Sequence, residues 1–182
     1  MLQKLAACLL KIWGWKSTGF ETLQQLPKFV IAIGPHTSNW DFLVGILVRT
    51  AYGIHKVRFL GKDSLFRPPF GFIFRALGGY PVNRRKHHNQ VDAYIQAFLE
   101  HTEFAIVIAP EGTRKKVDKL KTGYYFIARG AGVPIIPTIM NYQTKSVDFG
   151  TPFYPSDNEQ KDLDFLTNFF KNRPGKYPEL SF

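Results

Sequence analysis

The sequence predicts a single α/β domain with a mostly parallel central sheet flanked by helices, and three observations carry that expectation. Short apolar, β-favouring runs alternate along the chain with segments of helical spacing. The composition, 45% apolar and 21% charged over 182 residues, suffices to bury a core of ordinary size. No repeat, low-complexity tract or interdomain linker divides the chain. Disordered, collagen-like and solenoid architectures are thereby excluded.

The elements follow in order from local chemistry. At about 100° per residue, Leu2, Leu5, Ala6, Leu9, Ile12 and Trp13 fall on one side of a helix, and Lys4 and Lys11 point to the other. Lys11 interrupts the apolar stretch and no small-residue cleavage site follows, which argues against a signal peptide. No apolar run reaches the roughly 18 residues needed to span a bilayer. Tryptophans flanked by lysines, with no acid, suit the headgroup layer, so residues 1–20 are expected to lie at a membrane interface and residues 21–182 to form the domain proper. Packing of this helix on its own domain is the alternative.

Residues 29–33 read as a buried strand closed by Gly34-Pro35, followed by a helix from about Ser38. A strand over 57–60 ends at Gly61, and a helix over 64–77 is open to breakage at Pro68-Pro69. A short strand at 80–82, a helix over 89–101 and a well-defined buried strand at 104–109 come next. A helix spans 119–129, and its glycines lead into a strand at 133–140 whose two prolines imply an edge position or irregular pairing. A weak strand near 146–149 and a helix over 162–171 complete the series, and the tail from 174 shows no periodicity.

The charge narrows the partners. Lysine and arginine outnumber acids 24 to 14, for a net +10, and residues 55–88 set eight cations against Asp63. Such a field draws nucleic acid, an anionic bilayer surface or a phosphorylated substrate. No nucleic-acid-binding module is recognisable. The one cysteine, Cys8, permits no internal disulfide and no cysteine-based metal site, and no His or Cys pair has metal-ligand spacing. Neither a metal nor a cofactor is expected.

Four segments have chemical potential. In Gly34-Pro35-His36-Thr37-Ser38-Asn39-Trp40-Asp41, a helix beginning after His36 lets Asp41 fold back on the imidazole, the base-and-orienter pair of a triad without its nucleophile. The spacing of Ser38 and Asp41 fits equally a capping box that needs no chemistry. Glu111-Gly112-Thr113-Arg114, after the buried strand, combines a flexible backbone, a hydroxyl and a forked cation suited to phosphate, or else a solvated turn. Arg84, in the basic run that follows residues 78–83, is a possible anion ligand or an exposed loop residue. Val133, Pro134, Ile135 and Pro137 are too apolar for acid–base work and suit a chain-binding groove or the core. There is no G-x-S-x-G elbow and no P-loop.

These four segments, in this order over residues 28–141, resemble the glycerolipid acyltransferase family that includes lysophosphatidic acid acyltransferases. The likeness rests on His36 and Asp41, on Asn83-Arg84 where the family has Asp-Arg, on Glu111 to Arg114, and on Val133 to Pro137. It implies a glycerol-3-phosphate acyltransferase-like fold, with His36 as general base and Asp41 as its orienter. Arg84, Glu111, Gly112, Thr113 and Arg114 are then expected at the acceptor phosphate, and Leu2, Leu5, Leu9, Ile12 and Trp13 at the membrane. Acyl-CoA or an acyl carrier protein thioester is the implied donor and a lysophospholipid the acceptor, on the cytoplasmic face of a bacterial membrane. A non-catalytic lipid- or acyl-chain-binding protein is the alternative from another class.

Overall fold

The computed structural model describes residues 1–82 and 90–182. Helix α1 (Leu2–Trp13) ends at Gly14, whose left-handed φ of 77° lets its N–H close the last turn on the carbonyls of Leu10 and Lys11. Strand β1 (Lys16–Thr18) and helix α2 (Phe20–Gln25) follow. Next come β2 (Lys28–Gly34), α3 (Trp40–Ala51) and β3 (Val57–Lys62). A 3-10 turn (Asp63–Phe66), α4 (Gly71–Ala76), β4 (Gly79–Val82), α5 (Gln90–Glu100) and β5 (Phe104–Ile108) extend the domain. Helix α6 (Gly123–Ala131), β6 (Ile135–Asn141), β7 (Ser146–Phe149), α7 (Glu159–Phe170) and a 3-10 turn (Pro178–Leu180) complete it.

The strands form one sheet in the order β1-β7-β6-β2-β5-β3-β4, parallel at every junction except β6–β7. Side chains alternate across β2: Val30 and Ala32 join the core formed with α5, α6 and α7, while Phe29 and Ile31 join Leu23 and Ile54 on the opposite face. On that second face Leu10 and Trp15 meet Val44 and Val48 of α3 over Met140 and Val147. Both faces are covered, as a parallel sheet requires.

Strand β6 is interior, so of the two expectations for its prolines the edge position does not hold and the irregular pairing does. In a central strand the missing N–H of Pro137 is tolerated because of a bulge opposite it. Ile135 pairs with Phe153 and Thr138 with Phe149, so three steps on β6 face four on its partner. The Pro137 carbonyl takes the Gly150 N–H at 2.9 Å, and the ladder is already broken where its own N–H would have donated.

Other element boundaries differ from those expected. The helix expected over 64–77 is split into the 3-10 turn and α4 around Pro68-Pro69, neither of which can donate to a helix. Helix α6 starts at Gly123 because the Lys121 N–H is bound to the Pro110 carbonyl at 2.8 Å, which holds that segment against the loop after β5. Strand β3 continues through Gly61 to Lys62. Helix α7 begins before residue 162, at a cap where Asn158 Oδ1 accepts the Lys161 N–H. Strand β1 and helix α2, too short to produce a period, were not foreseen.

Candidate active site

The topology builds the site. Strand β2 lies between β5 and β6, all three parallel, so the loop after β2 emerges between the carboxyl ends of its two neighbours. That loop carries His36. From the β5 side comes Glu111, and from the end of β6 comes Tyr142.

His36 and Asp41 meet as the spacing suggested, with Nδ1 2.9 Å from Oδ2. Asp41 sits in the first turn of α3 with its side chain 7% exposed, and the imidazole is 29% exposed. The same Oδ2 accepts the backbone N–H groups of Thr37 at 3.0 Å and Ser38 at 2.9 Å. One arm of the capping box is therefore real, and it coexists with the dyad: the bonds that fold the loop also fix the carboxylate beneath the ring. The other oxygen, Oδ1, accepts the Tyr142 hydroxyl at 2.5 Å. With Nδ1 donating to Asp41, Nε2 is left as the basic nitrogen.

Glu111 is 4% exposed, and its Oε1 accepts the His36 backbone N–H at 3.0 Å. Its Oε2 has no hydrogen-bond partner among the described residues. Burial raises the Glu111 pKa above the ordinary carboxylate value. The carboxyl is thus turned to the back of the histidine loop and lines neither cavity beside the imidazole. Gly112, Thr113 and Arg114 do face the open side. Gly112 has a left-handed φ of 63°, Thr113 Oγ1 accepts the Lys115 N–H, and the Arg114 guanidinium bonds Asn39 Oδ1. Arg84, with Asn83, lies outside the described residues.

Two cavities converge on the imidazole. One, about 220 Å³, runs between α3 and the sheet and is almost wholly apolar, with Ile31, Ile33, Phe42, Gly45 and Val107 among its walls. Arg49 lines it two turns of α3 beyond Asp41, about 12 Å along the axis. Its guanidinium is satisfied by the carbonyls of Val57 and His55, both at 2.7 Å, and burial followed by the charge of Arg58 lowers its pKa. The second cavity, about 1110 Å³, is walled by Thr113, Arg114, Lys115 and Lys121 and by Tyr177 and Leu180 of the tail. His36, Phe42, Phe59, Val107 and Ala109 line both.

Val133, Pro134, Ile135 and Pro137 line neither cavity and are buried in the sheet and its core. On α1, Ala6 and Leu10 are buried, while Leu2, Leu5, Leu9, Ile12 and Trp13 are exposed, as are Trp40, Phe42 and Leu43 of α3, and Trp13 meets Trp40 edge-on at 5.5 Å. A narrow strip of the helix thus docks and its wider apolar face is left uncovered. Among the described residues no helix is long and apolar enough to cross a membrane. Tyr142, Arg49, Tyr177 and Leu180 were missed by sequence reasoning. The spacing of Phe42, Gly45, Ile46 and Arg49, which puts them on one face of α3 beside the dyad, was a signal for the apolar cavity.

The family model described as Acyltransferase matches residues 16–141, more than half of the chain, and the chain belongs to that family. The 1-acyl-sn-glycerol-3-phosphate acyltransferase of Haemophilus influenzae is 34% identical over 117 residues, covering 60% of this chain and 46% of that protein. Those of Salmonella typhimurium, 30% identical over 125 residues, and Streptococcus pneumoniae, 25% over 138, are covered to 49% and 51% and cover 65% and 70% of this chain. The chain thus spans about half the length of the curated relatives it matches. The crystal structure of the 1-acyl-sn-glycerophosphate (LPA) acyltransferase PlsC from Thermotoga maritima superposes with a TM-score of 0.63 at 19% identity, over 92% of this chain and 74% of that one, and shares the fold.

Proposed function

We propose that this chain transfers a fatty acyl group from acyl-CoA or acyl carrier protein to the hydroxyl of a lysophospholipid, with lysophosphatidic acid as the foremost acceptor. The observation that carries the proposal is the position of His36, where an apolar cavity shaped for a hydrocarbon meets a cavity rimmed with cations. The names of the curated relatives point to the same acceptor.

In this mechanism the acyl chain lies under α3 with its thioester carbonyl at His36. Arg114, Lys115 and Lys121, with the backbone and hydroxyl of Gly112 and Thr113, hold the acceptor phosphate. Nε2 removes the acceptor hydroxyl proton as that oxygen bonds to the carbonyl carbon. Collapse of the tetrahedral adduct breaks the carbon–sulfur bond, and the proton passes from Nε2 to the departing thiolate. The products are the new ester and a free thiol. Asp41 holds Nδ1–H throughout and stabilises the transient imidazolium. Residues 21–182 supply this chemistry.

Residues 1–20 supply membrane attachment, since lysolipids and acyl thioesters partition to bilayers. The exposed Leu2, Leu5, Leu9, Ile12 and Trp13 enter the interface while Lys4, Lys11 and Lys16 meet anionic headgroups. Peripheral attachment to the cytoplasmic face of a bacterial membrane fits the bacterial relatives. The test is incubation with mixed lysolipids and both thioester types, read by mass spectrometry. Acylated lysophosphatidic acid is the expected product, and no product from any pair contradicts the proposal.

A further inference from the structure

Asp41 must keep one orientation for the dyad to work, and its two oxygens have different neighbours. Oδ2 serves His36 Nδ1 and two backbone N–H groups. Oδ1 accepts the Tyr142 hydroxyl at a separation of 2.5 Å. Asp41 is 7% exposed, so without that hydroxyl a buried anionic oxygen loses a strong donor. The tyrosine is itself held in place: it directly follows β6, and the Trp15 ring meets it edge-on at 5.0 Å and 90°. Trp15 is buried in the cluster that joins α1, α3 and β7, so the phenol is anchored from the side of the protein opposite the cationic cavity.

We propose that Tyr142 is a positioning residue that completes a Tyr142–Asp41–His36 relay of hydrogen bonds. It touches neither cavity that meets at the imidazole, so its action passes through the carboxylate alone. By donating to Oδ1 it prevents rotation of the carboxylate, which would carry Oδ2 away from Nδ1. Burial and the bond to Asp41 both push the Tyr142 pKa up, so the phenol stays a donor across the physiological range. Tyr142 lies one residue past the matched family segment, outside all four motifs.

The proposal rests on the acyltransfer reading for its kinetic consequence, and a spectroscopic arm separates the two. Tyr142→Phe retains the ring packed on Trp15 and removes only the hydroxyl. Its kcat is expected to fall on the order of tenfold, the scale of one hydrogen bond to a charge, with the KM of donor and acceptor unchanged. In proton NMR the His36 Nδ1–H resonance, assigned by its loss in His36→Asn, is expected to move or broaden in Tyr142→Phe whether or not the protein turns over. A single cooperative melting transition, lowered because Oδ1 has lost its donor, confirms that the fold is intact. A Tyr142→Phe protein with the wild-type Nδ1–H resonance, or with kcat intact in an active enzyme, overturns the proposal. Absence of turnover in the wild type alongside a perturbed resonance overturns the acyltransfer reading and leaves the relay standing.

Discussion

Glu111 and His36 are 75 residues apart in sequence and joined by one hydrogen bond, from the histidine backbone N–H to Oε1 at 3.0 Å. The bond links the loop after β5 to the loop after β2, so the segment that faces the cationic cavity also sets the height of the imidazole. Its cost is a buried carboxyl with a raised pKa.

That cost has a definite pH dependence. Below the unfolded carboxylate pKa, Glu111 is protonated in both states and carries no penalty. As pH rises above that value the unfolded chain releases the proton first, so stability falls until the raised folded pKa is passed. Glu111→Gln keeps an acceptor for His36 and cannot ionise. Urea unfolding at a series of pH values is expected to show the Gln variant gaining on the wild type as pH climbs through that window, with the two converging below it. Parallel stability curves would contradict the buried carboxyl.

Gly45 marks the wall of the apolar cavity, and a Cβ built there meets nothing within 4 Å. A side chain at this position starts in open space, and Gly45→Leu extends it into room meant for hydrocarbon. Competition among thioesters of graded chain length, read by mass spectrometry, is expected to shift towards shorter chains. An unaltered product profile would remove the acyl chain from this cavity.

Gly112 is held at a φ of 63°, and an added Cβ would approach Lys121 Nζ to 2.7 Å. Gly112→Ala is expected to lose about 1 kcal/mol of stability from the left-handed backbone and to displace a cation from the larger cavity. The acceptor KM should rise more than kcat falls, as steady-state kinetics with varied lysolipid will tell. A change confined to the donor KM would place the acceptor elsewhere.

Helix α1 presents two kinds of leucine-like side chain, separable by mutation. Ile12 is 75% exposed and Leu10 only 3%. Ile12→Ser should weaken sedimentation with anionic liposomes and leave the melting temperature unchanged, since nothing in the core is lost. Leu10→Ala should cost about 2–4 kcal/mol through the cavity it leaves against α3. Equal liposome binding by wild type and Ile12→Ser would assign the exposed face another role.

Much of this was legible in the sequence because its causes are local. The alternation of strands and helices, the break at Pro68-Pro69, and the return of Asp41 to His36 all depend on residues within a few positions of one another. What was not legible comes from pairing at long range. Pro137 is central because of a bulge contributed by residues 149–153, Glu111 turns to a backbone that only the β2–β5 register brings near, and Tyr142 reaches Asp41 from 101 residues away. The lysine that delays α6 is bound by the loop after β5, again a tertiary contact that overrides helical spacing.

The most direct measurement compares wild type and His36→Ala for the rate of ester formation from lysophosphatidic acid and an acyl thioester, with both proteins shown folded by their melting curves. A loss on the order of 10² or more is expected when the general base is removed. A His36→Ala protein that acylates its acceptor at the wild-type rate would contradict the central role given to the imidazole.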